Sequence, residues 1–140
     1  MLATTAHLAP GLTIVRLSLH VLAACVWIGG QFVMAGLVPT LRAAGQDIPG
    51  KAAKAFGRLS WPAFALLVVT GFWNYAVAIH DKTTYGWQMV MMVKFVAVFG
   101  AGAGAFLHTR ATTASKRGLW AGVGLLSSLA AMVLGVTLAG

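Results

Sequence analysis

The sequence predicts an all-α integral membrane protein, a four-helix up-down-up-down bundle with both termini on the outer side of the bilayer. Three observations predict it. Hydrophobic residues make up 59% of the 140 residues and charged residues only 9%, a balance that no single soluble core can bury. The apolar residues fall into four runs, each longer than the roughly 20 residues a helix needs to cross about 30 Å of hydrocarbon. Most of the ten Lys and Arg residues lie between these runs rather than within them. No alternating ten-residue pattern of a membrane barrel is present, and a helix satisfies every backbone group within its own segment. The chain reads as one transmembrane domain spanning residues 1–140.

The first helix is expected over about residues 14–38, in the uncharged stretch between Arg16 and Arg42. Leu22-Ala23-Ala24-Cys25, with Arg16 before it, has the form of a lipoprotein cleavage box. The apolar run continues to Val38, however, far beyond any cleavage point, so the segment is read as a span and Cys25 as a small packing residue. A single cysteine allows no internal disulfide. The connection from Pro39 to Gly57 is the longest, with turn signals at Gly45 and Ile48-Pro49-Gly50. Pro49 to Phe56 is expected to form a short interfacial helix with Lys51 and Lys54 snorkelling.

The second helix is expected over about 59–80, bracketed by Arg58 and Asp81, with Pro62 in its first turn. The third, about 87–108, lies in an apolar stretch broken only by Lys94, and the fourth, about 118–139, follows Arg117 without a further charge. Trp61, Trp73, Trp87 and Trp120 fall near predicted ends, the place of interfacial anchors. Gly100 and Gly104, then Gly118 and Gly122, repeat the GxxxG spacing that lets helices approach closely, within the bundle or across a homodimer.

Arg42, Lys51, Lys54 and Arg58 flank the first connection and Arg110, Lys116 and Arg117 the third, whereas the second carries the offsetting pair Asp81 and Lys82. The positive-inside rule therefore places connections one and three in the cytoplasm and the termini outside, in the cytoplasmic membrane. Anionic lipid headgroups are sufficient partners for the net charge of +8, and nucleic acid is not expected.

Lys94 stands in the middle of an apolar run, where a charge costs about 2.5–3.5 kcal/mol on translocon-type scales and marks a functional site with a partner. Helical offsets put Arg16, His20 and Trp27 on one stripe of helix one, Thr70, Asn74 and Asp81 on one stripe of helix two, and Trp87, Met91, Lys94 and His108 on one stripe of helix three. His20, Asn74 and Lys94 share one level, ~9–12 Å below the outer surface at 1.5 Å per residue. With their stripes facing inward they form a polar site in the outer half of the bundle. Alternatively, His20 is a neutral structural residue bonded to a backbone carbonyl or to Asn74. No helix carries a carboxylate for Lys94, which points to a ligand carboxylate or a neighbouring subunit, with Asp81 as a partner from the loop.

His20, Lys94, Asn74 and Arg16 are the candidate cofactor-binding residues. Met89, Met91 and Met92 cluster near His80 and His7 in predicted height, and with His20 they form the candidate metal ligands, since soft thioethers with imidazole suit copper. The same methionines also serve as apolar filler. No Cys/His set has structural zinc spacing. His20 lies near the outer side and His108 at the cytoplasmic end, so they cannot sandwich one haem; a five-coordinate haem on His20, or a His20 pair across a homodimer, is the geometry left. No nucleophile with a base, no phosphate loop and no paired carboxylates are present, which argues against hydrolytic chemistry.

Leu19-His20-Val21-Leu22-Ala23-Ala24 with Trp27-Ile28-Gly29-Gly30, then Phe56-Gly57-Arg58-Leu59, Thr70-Gly71, Thr84-Tyr85-Gly86 and Lys94, resemble the copper resistance D (CopD) family of membrane domains over about residues 17–110. The resemblance implies a bacterial, periplasm-facing helical bundle that handles copper or takes it up across the cytoplasmic membrane. The chain is also similar, more distantly, to the HemJ-type protoporphyrinogen oxidases, which carry a first-helix histidine and a third-helix lysine in a four-helix protein. That similarity implies haem b on His20, a tetrapyrrole carboxylate at Lys94, and a haem-dependent membrane oxidoreductase. A third expectation is an accessory subunit of a larger membrane complex, using its glycine faces and no cofactor.

Overall fold

The computed structural model describes residues 10–81 and 84–139, and every regular element among them is helical. Four helices form: α1 over Gly11–Ala44, α2 over Ile48–Ala78, α3 over Tyr85–Arg110 and α4 over Ala114–Ala139. All four are long and apolar enough to cross a bilayer. His7 and Lys82, named above beside the methionines and Asp81, lie outside the described residues.

The radial distribution is inverted relative to a soluble bundle. Leu12, Phe99 and Val136 are more than two thirds exposed, whereas Ser60, Thr70 and Ser128 are at most 4% exposed. Large apolar side chains turned outward need lipid rather than water around them, and small or polar residues turned inward let helices approach and bond. The chain is thus a multi-pass membrane protein whose outer faces meet the bilayer.

The first two helices depart from their expected limits. The connection predicted over Pro39–Gly57 shrinks to residues 45–47, and the interfacial helix over Pro49–Phe56 is instead the continuous start of α2. Gly45 makes the turn at φ 155°, and Asp47 pairs with Lys51 in an exposed ion pair at 2.5 Å. Pro49, not Pro62, occupies the first turn of α2, where its missing donor removes no bond. Pro39 and Pro62 both lie inside helices. Each removes one intrahelical donor, an interruption that membrane helices tolerate. Because α2 extends ~45 Å at 1.5 Å per residue, its first eleven residues, with Lys51, Lys54 and Arg58, project beyond the apolar span. Trp61 is consequently not at a helix end; its ring meets Trp27 edge-on at 5.7 Å.

α1 contains one π-turn, Cys25–Gly29. The amide of Gln31 donates to the Trp27 carbonyl at 3.1 Å within this region. Trp27 is 3% exposed, packs on Phe64 at 4.4 Å and donates from Nε1 to Ser128 Oγ at 3.0 Å. Cys25, expected as a packing residue, is exposed on the outer surface of α1, because the inner face at this level is filled by Ala23 and Trp27.

Two helix pairs pack most extensively, α3 with α4 and α1 with α2. A Cβ at Gly104 would stand 2.5 Å from the Gly124 nitrogen, and one at Gly100 2.8 Å from Ser127 Oγ, so the first GxxxG pair lies in the α3–α4 contact. Gly118 and Gly122 have nothing within 4 Å of such a Cβ. α3 starts at the Thr84 cap, whose hydroxyl accepts from Trp87 N, and α4 follows Thr113, whose hydroxyl accepts from Lys116 N. Between these helices His108 Nδ1 lies 2.8 Å from the Arg117 carbonyl.

Candidate functional site

His20 on α1 and Thr70 on α2 are the centre of the polar site. Nδ1 of His20 lies 2.8 Å from Thr70 Oγ1. Thr70 is 2% exposed, and its hydroxyl donates to the Leu66 carbonyl at 2.7 Å, with Leu67 O at 3.2 Å. A threonine in a helix back-bonds in this way to the preceding turn. With its one proton engaged there, Oγ1 accepts from Nδ1–H of His20, and Nε2 becomes the free acceptor of the ring. Ordinary van der Waals contact of Cε1 at 3.4 Å from a Cβ at Gly71 shows how closely the ring lies over that glycine.

One helical turn from this contact, toward Gly11 on α1 and toward Ala78 on α2, stand Arg16 and Asn74. Arg16 is 8% exposed, and Asn74 Oδ1 is buried with no hydrogen-bond partner. On α3, Lys94 is half-buried; its Nζ stands 3.2 Å from where a Cβ of Gly135 would be, so the bare glycine makes room for the ammonium against α4. Neither Arg16 nor Lys94 has an ion pair or hydrogen bond among the described residues, where Lys51–Asp47 is the one ion pair. Each of the three expected stripes contributes buried residues, Arg16 and Trp27 from α1, Thr70 from α2 and Met91 from α3, whereas Asp81, expected on the helix-two stripe, is exposed beyond the end of α2.

The methionines divide. Met91 is buried, one turn from Lys94, whereas Met89 and Met92 are 47% and 60% exposed on other faces of α3. Residues 89 and 92, three apart, fall ~60° from one another around the helix, whereas 91 lies ~100–160° from both, so Met91 alone of the three faces inward. His80 lies beyond the end of α2, and no group of three His, Cys, Asp or Glu side chains gathers among the described residues.

The sequence leads to His20 and to the stripe containing Thr70, but not to the bond between them; the partners expected for His20 were a carbonyl or Asn74. Ser128 and Gly135 on α4 are further inner residues that the sequence reading does not name. Ser128 had a weak signal, as one of two adjacent hydroxyl residues in the middle of an uncharged apolar helix. Gly135 had none, because its role depends on the orientation of Lys94.

No protein-family model matches the chain, and neither any curated protein nor any solved structure matches it.

Proposed function

We propose that this chain is a protein of the cytoplasmic membrane that binds haem b, or a closely related anionic tetrapyrrole, on His20, with Arg16 and Lys94 meeting its carboxylates. The observation that carries the reading is the pair of cations within the apolar spans, Arg16 one turn from His20 on α1 and half-buried Lys94 on α3, with no described carboxylate paired to either. Unpaired charges at such depth call for an anionic partner, and an anionic ligand with a metal centre uses the histidine as well.

The donor set fits. A ligating histidine ordinarily has its other ring nitrogen held by an oxygen, which fixes its orientation and raises its basicity; Thr70 holds Nδ1 and leaves Nε2. Arg16 and Lys94 supply charge-assisted donors to carboxylates, and Asn74 Oδ1 offers a buried acceptor to a ligand donor. When bound, haem supplies one-electron redox chemistry tuned by its axial ligand and surroundings. The residues of this chain bind and orient the group, neutralise its carboxylates and, through the surrounding apolar helices, limit access of water.

The neighbour pairs along the helices support the up-down arrangement: His20–Thr70 and Trp27–Phe64 for α1 and α2, Phe72–Phe95 and Phe64–Gly102 for α2 and α3, and Gly100–Ser127 and Gly104–Gly124 for α3 and α4. In each, rising numbers on one helix meet falling numbers on the next. With the basic connections inside, the His20 site lies toward the outer leaflet, and the bundle is of the CopD type. Copper handling, the function that resemblance implies, is the second reading. It would use the same His20 with Met91, the one buried methionine of the three.

Haem and copper titrations of the purified protein in mild detergent separate these readings. The tetrapyrrole reading expects one haem per chain with a Soret band that His20→Ala abolishes, and lower affinity in Arg16→Gln and Lys94→Met with the band position retained. Copper binding lost in His20→Ala, with no haem binding by wild type, would replace it by the copper reading. Wild type that takes up neither would leave the accessory-subunit role.

A further inference from the structure

The groove between α2 and α3 is lined by rings at nearly every turn: Trp61, Phe64 and Phe72 from α2, and Phe95, Phe99 and Phe106 from α3. These helices meet through side chains rather than along their backbones. The Phe64 ring stands 2.9 Å from where a Cβ of Gly102 would be, so a bare glycine lets that ring fill the floor. Phe72 stacks on Phe95 at 5.3 Å and closes one end. The groove is open to the outside along its length and has a volume of about 510 Å³.

The groove runs from the Phe72–Phe95 pair to Trp61 and Phe106. Eleven residues of α2 cover that distance, ~16 Å at 1.5 Å per residue, which matches one leaflet of a hydrocarbon core about 30 Å thick. The open end is basic. Arg110 lies with its Cζ 4.9 Å from the centre of the Phe106 ring, which holds the guanidinium at the mouth. Arg58 lies one turn from Trp61 on the same end of α2, and Lys116 and Arg117 follow on α4. No carboxylate of the described residues is paired with any of these four.

We propose that this groove is a binding site for one anionic phospholipid, its acyl chain lying on the aromatic floor and its phosphate held by Arg110 and Arg58. Length, apolar lining and the sign of the mouth all match that ligand, and only a molecule with an apolar tail and an anionic head uses both features. A second copy of the chain fits less well. A two-fold axis along the membrane normal would bring the Arg58–Arg110 mouth of one copy against the same mouth of the other, placing like charges together. The site is independent of His20, whose stripe lies inside the bundle, so its failure or success leaves the tetrapyrrole reading untouched.

Native mass spectrometry of the full chain, released from mild detergent with equal amounts of phosphatidylglycerol and phosphatidylethanolamine, tests the proposal. The expected result is one retained phosphatidylglycerol per chain, favoured ~30-fold over phosphatidylethanolamine by two interfacial arginines. R58Q/R110Q, at exposed positions, should bring the two lipids to equal retention. A103F, which places a ring in the groove wall, should lose both lipids while circular dichroism shows unchanged helix content. Equal retention of the two lipids by wild type would overturn the proposal, as would phosphatidylglycerol retention unchanged in both variants. A wild-type dimer without lipid that A103F dissociates would assign the groove to a second copy instead.

Discussion

At the scale of single residues, two hydroxyls organise the interior. Ser128 Oγ accepts from Trp27 Nε1 at 3.0 Å and donates to the Gly124 carbonyl at 2.7 Å, so one side chain ties α1 to α4. Ser128→Ala leaves the buried indole N–H without an acceptor, and it should lower stability by about 1 kcal/mol, the scale of interhelical hydrogen bonds in membranes. Unfolding in mixed micelles measures it, and Trp27→Phe in the same background should show little further loss from that bond. Thr70 does for His20 what Ser128 does for Trp27. Thr70→Val keeps the shape and removes the oxygen that holds Nδ1; haem affinity should fall ~10–100-fold, as when a metal ligand loses its orienting partner. Thr70→Ser should restore it, whereas unchanged affinity in Thr70→Val would show that the bond does not orient the ligand.

At the scale of helices, glycines that are equivalent in sequence part company. Gly104 presses on the Gly124 backbone, and a methyl there would sit 2.5 Å from Gly124 N, with no flexible side chain to move aside. Gly104→Ala should cost roughly 1–3 kcal/mol, the range for overpacking. Gly122→Ala, facing open space, should be neutral or slightly stabilising through helix propensity. The GxxxG spacing marked both pairs in the sequence, but spacing says nothing about which face meets a neighbour. The same limit explains the first connection. Pro39, Gly45 and Pro49 all read as breakers, yet only Gly45, at φ 155°, turns the chain. The membrane helices run through Pro39 and Pro62 because local breaker signals are weaker than the need to satisfy backbone groups within apolar segments. The apolar runs themselves, and with them the number and class of the helices, were fully legible, since length and composition alone decide them.

At the scale of the molecule, helical periodicity made Arg16, Trp27, Thr70 and Met91 legible as inner residues, but not Asp81, which is exposed beyond the end of α2. The split among the methionines was not legible, because residue type does not say which face is inside: Met91 is buried and Met89 and Met92 are exposed. Orientation in the membrane has its own prediction. In a Cys25→Ser background, a membrane-impermeant maleimide should label D81C in intact spheroplasts and Q46C only after permeabilisation, the result expected of the proposed orientation with the basic connections in the cytoplasm. Labelling of Q46C alone in intact spheroplasts would invert the molecule and place the His20 site toward the cytoplasmic leaflet.

The most direct measurement of the central claim is the absorption spectrum of the protein as purified in mild detergent, with iron and copper quantified per chain, for wild type and His20→Ala side by side. Wild type should show a Soret band and one iron per chain, both lost in His20→Ala while the helical content stays unchanged. A Soret band and iron content that survive the loss of His20, or a folded wild type that carries no haem even when supplied with it, would contradict the claim.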